Sequence, residues 1–75
     1  MERTALPSTT LAALGYDPES LVLEVEFRSG AIYRYHLVPS PVYRDLLAAD
    51  SKGRFFNRFI HRNFASESLA SRASA

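Results

Sequence analysis

The chain has 75 residues, 47% of them hydrophobic and nine aromatic (five Phe, four Tyr), which suits one small core and excludes two domains. A formal net charge of +1 selects no partner by bulk attraction, and the absence of cysteine excludes disulfides and thiolate metal sites. Residues 1–10 lack the apolar run of a signal peptide and no stretch approaches the roughly 20 apolar residues of a membrane span, so the expectation is a soluble, cytoplasmic domain with no membrane partner.

In chain order, residues 1–8 are mixed and polar and are expected to be a loose N-terminus. Residues 9–16 are apolar with little β-branched character and suit a short first strand, closed by the turn chemistry of Gly15-Tyr16-Asp17-Pro18. Residues 21–27 alternate with a period of two: Leu21, Leu23, Val25 and Phe27 on one face, Val22, Glu24 and Glu26 on the other. Residues 31–38 repeat the pattern, with Ala31, Tyr33, Tyr35 and Leu37 against Ile32, Arg34 and His36. Between them, a two-residue loop would oppose Val25 with Arg34 and mix the faces. A three-residue loop, Arg28-Ser29-Gly30 with Gly30 left-handed, pairs Phe27 with Ala31, Val25 with Tyr33, Leu23 with Tyr35 and Glu24 with Arg34.

Pro39-Ser40-Pro41 then ends the sheet and opens a helix, with Ser40 as N-cap and Val42, Tyr43, Leu46, Leu47 and Ala49 as its buried stripe. Residues 50–53 break that helix. Ser51 suits the cap of a second one, running to about Arg62 with Asn63 near its end. At α-helical spacing Phe55, Phe56, Phe59 and Ile60 share an arc of about 140°. That spacing assigns the phenylalanines to the core rather than to base stacking, and truncation of Phe59 is expected to cost about 3–5 kcal/mol. Residues 65–75 are rich in Ala and Ser and are expected to fray.

The resulting expectation is an α+β fold over residues 9–64. A small antiparallel sheet of two to three strands is followed by two C-terminal helices packed on one face, in the order β-β-β-α-α. Its core is Leu21, Leu23, Val25, Phe27, Tyr33, Tyr35, Leu46, Leu47, Phe55, Phe59 and Ile60.

Catalytic chemistry finds little support. Neither His36, on the outer face of a strand, nor His61, on the second helix, stands in a nucleophile–base motif. Glu24 and Glu26 share an outward face, where a solvated position opposite Arg34 explains them better than acid–base work. No His, Cys, Asp and Glu set has metal-ligand spacing and the scattered glycines form no phosphate loop. Hence no catalytic residue, cofactor or metal is expected.

Charge is polarised along the chain: residues 1–50 carry a balance of −3 and residues 51–75 a balance of +4. On the second helix Arg54, Arg58 and Arg62 recur every four residues with His61 beside them, as phosphate contact requires; Lys52 does not share that flank.

The order and spacing of Leu14-Gly15-Tyr16-Asp17, Phe27-x-x-Gly30-x-x-Tyr33-x-Tyr35, Val38-Pro39, Val42-Tyr43, Leu46-Leu47-x-Ala49-x-Ser51-x-Gly53, Phe55-Phe56-Asn57 and Ile60 resemble the KTSC domain family over roughly residues 5–64. That family occurs at the C-terminus of some lysyl-tRNA synthetases and as small stand-alone bacterial proteins, and RNA binding is the role usually suggested for it. The resemblance and the charge polarity together imply a non-enzymatic module that binds RNA or another nucleic acid. The expected contacts are Lys52, Arg54, Arg58, His61 and Arg62, with Arg34 and the hydroxyls of Tyr33 and Tyr35 contributing. The alternative is a protein-interaction or homodimerisation module acting through the exposed sheet face, with Val22, Ile32 and Val38, or through a sheet edge.

Overall fold

The computed structural model describes residues 3–6 and 8–71. The elements are β1 (Thr4–Ala5), β2 (Leu11–Asp17), β3 (Val22–Phe27), β4 (Ala31–Tyr35), α1 (Ser40–Ala48), α2 (Lys52–Phe55) running on into a π-helical turn (Phe56–Ile60), and β5 (Ser66–Ser71). All five strands form one antiparallel sheet in sequence order. This corrects the expected β-β-β-α-α arrangement: the sheet has five strands rather than two to three, and a strand follows the helices. The fold is a sheet-rich α+β.

The hairpin of β3 and β4 has the register that the face-matching argument requires. Leu23 faces Tyr35, Glu24 faces Arg34 and Val25 faces Tyr33 across the three-residue loop. Gly30 has a φ of 97°, where a side chain would be strained, and its N–H closes the loop on the Phe27 carbonyl at 2.9 Å. The strand begins one residue later than the alternation suggests. Leu21 is left-handed at φ 59°, and its carbonyl accepts from the Val38 N–H at 2.8 Å.

β2 hides its alternation behind a bulge. Leu11 pairs with Phe27 and Ala13 with Glu26, which leaves Ala12 extra. The inserted residue lets Leu11 and Leu14, three apart, both point inward and both reach 0% exposure. The two edge strands correct the expectations for the termini. Thr4–Ala5 pairs with β2, and Arg28 holds the segment behind it, its Nε donating to the Ser8 carbonyl at 2.9 Å and its Nη2 to the Leu6 carbonyl at 2.7 Å. Ser66–Ser71, expected to fray, pairs along the whole of β4 with a bulge at Leu69. Met1, Glu2 and Pro7, and residues 72–75 with Arg72, lie outside the described residues.

The core fills the space between the inner face of the sheet and the helices: Leu6, Leu11, Leu14, Leu23, Val25, Tyr35, Val38, Leu46, Phe56 and Ile60 are buried. Phe56 is the centrepiece, its ring meeting Phe27 and Tyr35 edge-on with centroids 5.4 and 5.2 Å away. Tyr16 stacks on Tyr43 of α1 at 4.7 Å and donates its hydroxyl to the Val38 carbonyl. Gly53 admits the start of α2, since a Cβ there would lie 3.0 Å from the Thr10 hydroxyl.

Three expected core residues are displaced from it. Leu21 is half-buried in its turn, Leu47 is 38% exposed and Phe59 is 47% exposed. Phe59 has a specific cause. In the π-helical turn the His61 N–H bonds the Phe56 carbonyl, an i→i+5 link. Each residue of this wider turn advances by a smaller angle than in an α-helix, so Ile60 falls almost over Phe56 and both bury. Phe59 lags behind them onto the flank.

Candidate functional site

Two groups of basic residues stand out, one on the outer face of the sheet and one along residues 52–62; Arg28 is held by the Ser8 and Leu6 carbonyls, and Arg44 is exposed on α1. On the outer face, the register aligns Gly15, Glu24, Arg34 and Glu67 in one cross-strand row. Glu24 is only 5% exposed, and its carboxylate takes the Arg34 Nε at 3.1 Å and the Arg3 Nε at 3.4 Å. Arg3 also approaches Glu26 at 3.7 Å, and His36 Nε2 lies 3.0 Å from Glu67. Far from being a solvated pair, Glu24 and Glu26 are buried under Arg3, which satisfies the rule that a buried charge is matched. Arg3 was not singled out from the sequence. The available signal was that two carboxylates on a central strand need more than the one cation, Arg34, that the hairpin supplies.

The second set lies along residues 52–62. Arg54 projects from α2, Arg58 from the π-helical turn, and His61 and Arg62 follow at its end; all four are exposed. Four-residue spacing stays nearly aligned in a wide turn, so the arginines keep to one flank. Among the described residues none of the three has a carboxylate partner. Arg58 instead rests over the Phe59 ring, its guanidinium carbon 5.5 Å from the centroid. Ser51 Oγ accepts from the Arg54 N–H at 3.4 Å, and Asn63 Nδ2 donates to the Phe59 carbonyl at 2.8 Å, so both ends of the segment are fastened.

The remaining expected contact residues are placed elsewhere. Lys52 points back to the Ala49 carbonyl, its Nζ donating at 3.1 Å. Tyr35 is 2% exposed and packs against Phe56 with Tyr33 beside it, and burial pushes its phenol above the ordinary range. Arg34 is on the far face of the sheet from the arginine flank. Of the apolar residues expected on that face, Val38 is buried in the core and Val22 and Ile32 are half-buried.

Around His36 there is a broad, open concavity of about 480 Å³ lined by Tyr16, Asp17, Ser20, Val22, Arg34 and His36. The Ser20 hydroxyl donates to Asp17 at 2.8 Å, which with the Glu19 amide holds that carboxyl below its ordinary range. The serine is thus engaged with a carboxylate while the imidazole faces Glu67, the wrong pairing for a histidine-activated hydroxyl. Among the described residues no group of three or more His, Cys, Asp or Glu is placed to hold a metal, and no helix is long and apolar enough to cross a membrane.

The KTSC domain family model matches residues 7–64. The chain is 60% identical over 58 residues to an uncharacterized protein of Stutzerimonas stutzeri, covering 77% of this chain and 82% of that one. A lysine–tRNA ligase of Nostoc punctiforme is 39% identical over 62 residues, which are 83% of this chain and 11% of the ligase. The crystal structure of a KTSC domain protein from Yersinia pestis superposes with a TM-score of 0.89 at 33% identity, covering 92% of this chain and 97% of the other.

Proposed function

The chain belongs to the KTSC domain family, and from that membership we propose that it is a non-enzymatic, cytoplasmic module that binds nucleic acid, RNA in preference, through Arg54, Arg58 and Arg62 with His61 alongside. One observation carries this reading: these three arginines recur along one helical segment, exposed and without carboxylate partners among the described residues, whereas Arg44, likewise exposed, stands alone on α1 and Arg3 and Arg34 are paired. An uncompensated guanidinium row on one flank is the arrangement that phosphate oxygens match. The similarity to part of a lysine–tRNA ligase supports RNA as the partner. Lys52 and Arg34 are left out of the proposed surface by their placement.

Three phosphates engaged on a single strand give a slope of log affinity against log salt of about −2. Electrophoretic or fluorescence titration of RNA over a salt series measures it. The combined Arg54→Gln, Arg58→Gln and Arg62→Gln variant is expected to flatten the slope towards zero while remaining folded. A variant with an unchanged slope removes the arginines from the interface.

A second reading draws on β5. Its outer edge pairs with no strand among the described residues, and Leu69 at its bulge is 40% exposed, so a second copy has a six-residue strand to add to. Sedimentation that shows a dimer at low salt, with no change on adding RNA, favours this alternative.

A further inference from the structure

Phe59 is the residue whose position the arginine row leaves unexplained. It is 47% exposed in a chain with enough core space to bury Phe56 and Ile60 completely on the same segment. Its ring is backed by Phe55 at a centroid distance of 4.7 Å and capped by the Arg58 guanidinium, and its carbonyl is held by Asn63. An exposed aromatic ring in contact with Arg58, on the same helical segment as the exposed Arg54 and Arg62, combines the two elements that unpaired nucleotides require: a face for the base and cations for the backbone.

We infer that Phe59 is a stacking platform for an unpaired base, which makes the flank a site for single-stranded rather than duplex nucleic acid; this rests on the phosphate-binding reading of the arginines. In a duplex the faces of the bases are already stacked on one another and only their edges are offered, so a phenyl ring has nothing to meet. In a single strand the base can lie on the ring. Arg58 is positioned to give way, because an exposed guanidinium–ring contact is weaker than a stacked base, and the displaced guanidinium then has a phosphate to take.

The probes are an oligouridylate, an abasic strand of equal length and a duplex RNA, each titrated against the full chain between about 50 and 200 mM salt. The wild-type protein is expected to bind the oligouridylate between about 5- and 100-fold more tightly than the abasic strand. Phe59→Leu, which keeps apolar bulk over Phe55 without a π face, is expected to erase that ratio and leave the salt slope unchanged. Phe59→Leu with the ratio intact overturns the stacking role while the arginine slope keeps the phosphate reading standing. Equal wild-type affinity for the abasic and base-bearing strands overturns it in the same way. Binding of no probe at the lower salt sinks the phosphate reading itself and the inference with it.

Discussion

On the outer face of the sheet Arg3, Arg34 and His36 lie between 3.0 and 3.7 Å from carboxylates, whereas along residues 54–62 three arginines face water with no such partner among the described residues. The difference follows from burial. Glu24 and Glu26 sit on a central strand at 5% and 8% exposure, where an unmatched carboxylate is costly, so their cations are fixed by the fold. The helical segment fully buries Phe56 and Ile60, and of its arginines only Arg58 touches a packed side chain, lying over the exposed Phe59 ring. One set of charges is tied into the fold; the other is displayed at the surface.

The contrast can be broken most severely at the phenylalanines of the helical segment. Phe56→Ala is expected to cost about 3–5 kcal/mol, a large share of the stability of a domain of this size, while Phe59→Ala, at a half-exposed ring, is expected to cost about 1–2 kcal/mol. Thermal melts by circular dichroism decide it; equal losses mean that the segment has no displayed side. Next comes Glu24→Gln, which strips two guanidinium groups of their shared partner and is expected to cost about 1–3 kcal/mol. A melt unchanged by Glu24→Gln would put the outer-face pairs on a par with ordinary surface charges.

A third test uses pH. Tyr35 is kept neutral by burial, so its pKa in the folded protein lies above the roughly 10 of the unfolded chain. Its contribution is therefore complete below about pH 10 and lost as pH rises through the raised value. Denaturant titrations at rising alkaline pH should show this loss, and Tyr35→Phe should reduce it. The smallest effect is expected from replacing Arg54, Arg58 and Arg62 by Gln, within about 0.5 kcal/mol for each. A loss as large as that of Glu24→Gln would assign the arginines to the fold.

The legible parts of the sequence were those where local chemistry alone decides. Gly30 and the alternation around it specify the hairpin register, and Ser51 marks the start of the second helix because its hydroxyl has an orphan N–H to accept. The four-residue arginine spacing survived because a helix of either pitch keeps such residues together. Two of the differences share one physical form, a local change of phase. The bulge at Ala12 disguises β2, and the π-helical turn moves Phe59 out of an arc drawn at α-helical pitch. β5 has neither β-branched nor aromatic residues, so its propensity is weak; it is a strand because β4 presents a row of backbone groups to pair with. Glu24 and Glu26 signalled the need for a second cation, but only the full sheet shows that Arg3 supplies it.

The charge row across the outer face ties residue 3 to the middle of the sheet and residue 67 to its far side. The hairpin at its centre closes over three residues, but β5 reaches β4 only after the whole helical segment has been threaded between them. Sequence separation of that kind is costly in loop entropy and tends to be realised late. The β5 edge of the row should then be absent from the folding transition state, so that Glu67→Ala speeds unfolding and hardly alters the rate of folding. The contact of Glu67 with His36 would act as a small latch on the finished molecule, affecting how long it stays closed more than how it closes.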